Sequence, residues 1–134
     1  MAHTAKTAAQ MVTEAKERVQ NLTPEQVSAE LQQSSALLID LRESNEREAN
    51  GVIPGAVHAP RGMLEFWADP TSLYHREEFD PGRRFILHCA SGGRSALAAD
   101  TLQQMGYTNV AHLNGGMKAW KEAGFPVEEV PRDS

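Results

Sequence analysis

Cys89 is the only cysteine in the chain, and it heads the run Cys89-Ala90-Ser91-Gly92-Gly93-Arg94-Ser95. A thiolate is the nucleophilic form of cysteine, and it is favoured where positive charge and unpaired N–H groups gather. Both are expected here. Gly92 and Gly93 let the chain turn tightly. Ala96-Leu97-Ala98-Ala99 then continues into a helix, whose first turn presents unbonded N–H groups and the positive end of the helix dipole. Arg94 adds a full charge. The run therefore reads as a nucleophilic cysteine at the mouth of an anion-binding loop, with the backbone N–H groups of Ala90 to Ser95 as the cradle. The competing reading, a small buried hydrophobe, does not account for the glycines and arginine that follow.

The elements around the loop are legible from pattern. Phe85-Ile86-Leu87 is a short apolar run of the kind found in strands covered on both faces. The helix after the loop is expected to end at Met105, with Gly106 as its stop. Ala36-Leu37-Leu38-Ile39 is a second strand ending at Asp40. Ala56-Val57-His58 begins a third after the turn Ile53-Pro54-Gly55, and Val110-Ala111-His112-Leu113 is the last. Thr23-Pro24-Glu25-Gln26 is a helix start, with Thr23 as cap and Gln26 reaching back. Residues 43–49 form a polar helical turn, and residues 63–67 a short helix inside the irregular stretch 60–82. The final helix carries Met117, Ala119 and Trp120. Ala8, Val12, Ala15 and Val19 give residues 5–20 an amphipathic helix. Residues 1–22 are thus expected to be an N-terminal helix packed on a domain formed by 23–134.

Strands alternating with helices predict an α/β domain of three layers, a parallel sheet with helices on both faces. Ligand sites in such sheets lie beyond the carboxyl ends of the strands, where Asp40 and Cys89 both fall. His88 is a poor base for the thiol, because neighbouring strand residues point to opposite faces. Ser95 is expected to cap the helix with its hydroxyl. Asp40 is placed to accept bonds from loop N–H groups or from Arg94, and the bland alternative for Arg42 and Glu46 is a surface ion pair of little energetic value.

Three ordered stretches resemble the rhodanese (thiosulfate sulfurtransferase) family. They are the Cys89–Ser95 loop, Asp40-Leu41-Arg42 with Glu46 and Gly51-Val-Ile-Pro-Gly-Ala-Val-His58, and Leu113-Asn-Gly-Gly-Met-Lys-Ala-Trp120 with Ala123-Gly-Phe-Pro-Val127. The resemblance spans about residues 23–128. It departs at Val52, where many members carry His. It implies a rhodanese-like fold and a sulfurtransferase that moves sulfane sulfur from a donor such as thiosulfate to cyanide or a thiol through a persulfide on Cys89. It also implies supporting roles for Asp40 and Arg42. An alternative is a persulfide carrier or sensor serving one dedicated partner. A cysteine phosphatase or arsenate reductase is disfavoured, because such loops resemble Cys-x5-Arg, whereas Arg94 follows Cys89 with four residues between. The shorter cradle suits one sulfur atom.

Composition bounds the rest. The chain has 134 residues, 40% hydrophobic and 23% charged, with a net charge of −5, the profile of one globular domain without a nucleic-acid footprint. No apolar run is long enough to span a bilayer, and no secretory leader is read, so a cytoplasmic location is expected. With one cysteine there is no internal disulfide and no resolving thiol, so an outside thiol, cyanide or a protein acceptor must unload Cys89. No cofactor is implied, and no His or Cys spacing suggests a metal. The expected partners are a small anionic sulfur donor and a thiophilic acceptor, with no membrane.

Overall fold

The computed structural model describes residues 5–131. Five strands form one parallel sheet: β1 (Gln20–Leu22), β2 (Leu37–Asp40), β3 (Val57–His58), β4 (Phe85–His88) and β5 (Val110–Leu113). Their order across the sheet is β1-β5-β4-β2-β3, so the strand that leads into Cys89 is central. Six α-helices accompany them: α1 (Ala8–Arg18), α2 (Pro24–Gln33), α3 (Ser44–Asn50), α4 (Leu64–Ala68), α5 (Gly93–Gln104) and α6 (Gly116–Glu122).

The expected architecture is therefore observed, and its cause is visible in the two cores. On one face, Ile39, Phe85, Leu87 and Val110 pack with Val19 of the α1 C-cap, Leu64 and Ala68 of α4, and Ala98, Ala99 and Leu102 of α5. On the other face, Leu22, Leu38, Ile86, Ala111 and Leu113 pack with Val27 of α2 and Met117 and Trp120 of α6. Consecutive residues of the apolar runs thus feed opposite cores, which is why those runs do not alternate with polar residues.

Local signals hold where chemistry is local. The Thr23 hydroxyl accepts the Gln26 N–H at 3.1 Å, and the Gln26 side chain accepts the Thr23 N–H at 2.9 Å. These bonds satisfy donors that the first turn leaves free.

One element was not foreseen. Gln20 and Asn21 have no strand propensity, yet β1 forms because its backbone pairs with β5, Asn21 opposite His112 and Leu22 opposite Leu113. The N-terminal segment therefore supplies an edge strand as well as a helix. That helix, α1, lies against α5, where Arg18 holds Asp100 with bonds of 3.0 and 2.7 Å.

Candidate active site

β4 ends at His88, and Cys89 opens the loop that turns into α5. The turn needs a left-handed residue at the helix cap, and Gly92 supplies it with φ 105°. A Cβ there would also lie 3.1 Å from the Gly115 amide nitrogen. The loop is clamped from the opposite core, where Met117 and Lys118 donate backbone N–H groups to the Cys89 and Ala90 carbonyls at 2.9 and 3.1 Å. That approach requires Gly116, because a Cβ on it would sit 2.5 Å from the Cys89 carbonyl oxygen.

Cys89 is 1% exposed. The Gly92 N–H donates to its Sγ at 3.2 Å, and the thiol reaches the Ser95 hydroxyl at 3.7 Å. The N–H groups of Gly93, Arg94 and Ser95 open α5 and have no acceptor within the helix. Ser91 is exposed, and Ala90 lines a cavity of about 230 Å³ beside the loop, with Arg42, Glu46, Met117, Lys118 and Lys121 also in its wall.

The structure redistributes the expected contacts. Arg94 does not meet Asp40. It grips Glu46 through two bonds of 2.7 and 2.8 Å, so the loop is braced from α3. The Arg94 hydrogen bonds hold the Glu46 carboxyl down to about 2, against an opposing effect of burial.

Asp40 has a separate role. It takes the Arg42 backbone N–H at 3.1 Å, the Arg42 guanidinium at 3.0 and 2.9 Å, and Arg47 at 3.0 Å. Arg42 also donates to the Gly51 carbonyl at 2.8 Å. Burial alone would raise the Asp40 carboxyl, but the Arg42 bonds outweigh it, and the carboxyl lies at about 2. Arg42 is thus no surface residue and does not pair with Glu46. It is 1% exposed, because the carboxylate it needs is itself at the buried end of β2.

His88 turns away from the thiol, as strand geometry requires. Its Nε2 stands 3.8 Å from Asp40 Oδ2, beyond hydrogen-bond reach. Burial draws its pKa down to about 4, so the ring is neutral and the contact is not an ion pair.

Ser95 is not the cap of α5. It is the third helical residue, and its hydroxyl lies 2.8 Å from His112 Nδ1, whose Nε2 lies 2.7 Å from Asn21 Oδ1. Sequence reasoning did not assign His112 or Asn21 to the site. The available signal was one histidine in the otherwise apolar strand Val110–Leu113; for Asn21 there was none. Among the described residues, no cluster of three metal-ligating side chains occurs, and no helix is long and apolar enough to cross a membrane.

Comparison with known proteins agrees with this geometry. The profile of the Rhodanese-like domain matches residues 23–123. The chain is 30% identical over 107 residues to thiosulfate sulfurtransferase GlpE of Actinobacillus succinogenes, covering 80% of this chain and 88% of that one. It is 32% identical over 106 residues to an uncharacterised Synechocystis protein, covering 79% of this chain and 54% of the relative. The chain spans between 54% and 68% of the length of several curated relatives. A solved Rhodopseudomonas palustris protein of unknown function, described as a possible tyrosine phosphatase, superposes with a TM-score of 0.88 at 41% identity, covering 96% of this chain and 99% of that one. A match along most of the sequence thus coincides with a cysteine loop at the end of the central strand, and the chain belongs to the rhodanese-like domain family.

Proposed function

We propose that this protein is a sulfurtransferase that moves sulfane sulfur from a donor such as thiosulfate to cyanide or a thiol, with Cys89 as the carrier. The observation that carries the reading is the Cys89 Sγ at the head of α5, facing the Gly92 N–H at 3.2 Å. Attack by the thiolate on the outer sulfur of thiosulfate forms the Sγ–S bond. The donor's S–S bond breaks with its electron pair going to the departing sulfite. The terminal persulfide sulfur then lies among the N–H groups of Gly92 to Ser95, which stabilise its charge without a lysine. Lys118 and Lys121 in the wall of the adjoining cavity favour an anionic donor. Arg94 and Glu46 hold the loop, and Asp40 and Arg42 hold the strand end and the chain that follows it.

The second half-reaction transfers the outer sulfur to cyanide or a thiol and releases the Cys89 thiolate. Sulfur-transferring relatives support the reading, and one relative, from Bacillus subtilis, is described as a putative sulfur carrier. A carrier serving one protein acceptor differs only in needing that acceptor for turnover.

The test is intact mass after incubation with thiosulfate, then with cyanide. The expected result is a gain of one sulfur atom, lost again with release of thiocyanate, and no gain in Cys89→Ser. Absence of sulfur loading from thiosulfate, polysulfide and glutathione persulfide alike would overturn the reading. The phosphatase reading predicts release of phosphate from an aryl phosphate by the same sample. The four-residue spacing between Cys89 and Arg94 argues against it.

A further inference from the structure

Cys89 is buried, and in its thiol form it must lose a proton before it can attack. His88 adjoins it in sequence but faces Asp40 on the other side of the sheet. His112 is the histidine joined to the sulfur, through one hydroxyl.

The direction of that chain follows from the atoms that can only accept or only donate. The Asn21 Nδ2 group donates to the backbone carbonyls of Lys16 at 2.9 Å and Val19 at 3.1 Å. This fixes the amide, so its oxygen faces His112 Nε2 at 2.7 Å. An amide oxygen accepts only, so Nε2 carries the ring proton. In the neutral ring Nδ1 is then an acceptor, and its donor is the Ser95 hydroxyl, which lies 2.8 Å from it and 3.3 Å from its other acceptor, the Gly92 carbonyl. With that hydrogen directed at His112, Ser95 presents a lone pair to Cys89 at 3.7 Å, ready to accept the S–H. Each bond in the series points away from the sulfur.

We propose that Ser95, His112 and Asn21 form a path that takes the proton of the Cys89 thiol as the sulfur is prepared for attack. This rests on the sulfur-transfer reading for its purpose but not for its chemistry. The S–H proton passes to Ser95 Oγ while the Ser95 hydroxyl proton passes to His112 Nδ1. His112 becomes an imidazolium, its Nε2–H still on Asn21 Oδ1, and Sγ is left as thiolate. Ser95 then accepts from His112. When the persulfide is unloaded and Cys89 leaves as thiolate, the proton returns by the same route. His112 and Asn21 touch no substrate and act through Ser95, so they are positioning residues.

The surroundings fit a proton taken only when a negative charge appears. Burial, then Lys16 of α1, draws His112 down to about 4, so the ring is neutral while Cys89 is a thiol. Cys89 lies on the other side of Ser95, and its thiolate is the charge that offsets both effects. A buried histidine kept only for packing would not need a defined tautomer aimed at the nucleophile.

The experiment follows thiolate ultraviolet absorbance, with Cys89→Ser as blank, and in parallel the rate of sulfur loading from thiosulfate by intact mass. His112→Asn keeps an acceptor near the Nδ1 position but removes the base, and Ser95→Ala breaks the path. At pH 7 each variant is expected to lower both signals about tenfold, with the double variant no lower than the singles. At pH 10, where hydroxide can take the proton in place of the path, all four proteins should agree within about twofold. Wild-type or higher thiolate in His112→Asn at pH 7 overturns the proposal. So does a loss that persists equally at pH 10, which marks structural damage. If His112→Asn does not fold, Ser95→Ala decides by the same criteria. A wild-type protein that shows the thiolate pattern but takes up no sulfur would sink the sulfur-transfer reading and leave the path standing.

Discussion

Two polar networks flank Cys89, one on each side of the strand that leads to it. Asp40 on β2 gathers Arg42 and Arg47 on the face of the sheet that carries α2 and α6. Asn21 on β1 and His112 on β5 reach Ser95 on the face that carries α1 and α5. The first is charged and closed, since every strong donor in it ends on one carboxylate or a backbone carbonyl. The second is neutral and directional, and it ends on the sulfur. Buried ion pairs resist change, because removing one partner strands the other. A neutral chain of hydrogen bonds holds no charge at rest, and its hydroxyl and imidazole can each both give and take a proton. The difference separates a network that holds the site from one that can serve its chemistry.

The sharpest way to break the comparison is to remove the shared target. Cys89→Ser is expected to abolish sulfur loading altogether while costing only about 1 kcal/mol in urea unfolding, as for an ordinary buried substitution. A large stability loss would show that the thiol also holds the two networks together.

Arg42→Met should be the costliest change to stability. It leaves Asp40 buried and short of its main partner, at a cost of about 3–5 kcal/mol in urea unfolding. A cost under about 1 kcal/mol would mean that Arg47 alone satisfies the carboxylate.

Acid should act on both sides of β4. His88 and His112 are each drawn from an ordinary 6.5 to about 4 in the folded protein. A base with a lowered folded pKa stabilises the fold above its unfolded pKa, where both states are neutral. That contribution is lost as pH falls, because the unfolded chain takes up the proton first. Stability is therefore expected to decline from pH 6.5 to pH 4, by up to about 3 kcal/mol for each histidine. His112→Asn should remove about half of that slope, and an unchanged slope would place the proton uptake elsewhere.

The smallest effect is expected at the brace. Glu46→Gln loosens Arg94 on a partly exposed pair, at about 0.5–1 kcal/mol. Sulfur loading should fall more than stability does, because the loop then lacks its hold from α3. Equal small losses in both would make Arg94 a surface residue.

What the sequence determined was local. The Thr23–Gln26 capping box, the apolar runs that became β2, β4 and β5, and the glycines around Cys89 are each decided within a few residues by hydrogen-bond geometry and backbone freedom. Chain order then sufficed for a parallel sheet with Asp40 and Cys89 at the same edge.

The partners of those residues were decided only by the tertiary structure. Asp40 chose Arg42 and Arg47 over Arg94, and Arg94 chose Glu46, 48 positions away. Asn21 meets His112 across 91 positions, in a strand that exists only because β5 pairs with it. No periodicity records such meetings. A carboxylate or an imidazole finds its partner by which donors the fold carries within 3 Å of it, and that distance is set by the packing of the whole chain around the sheet.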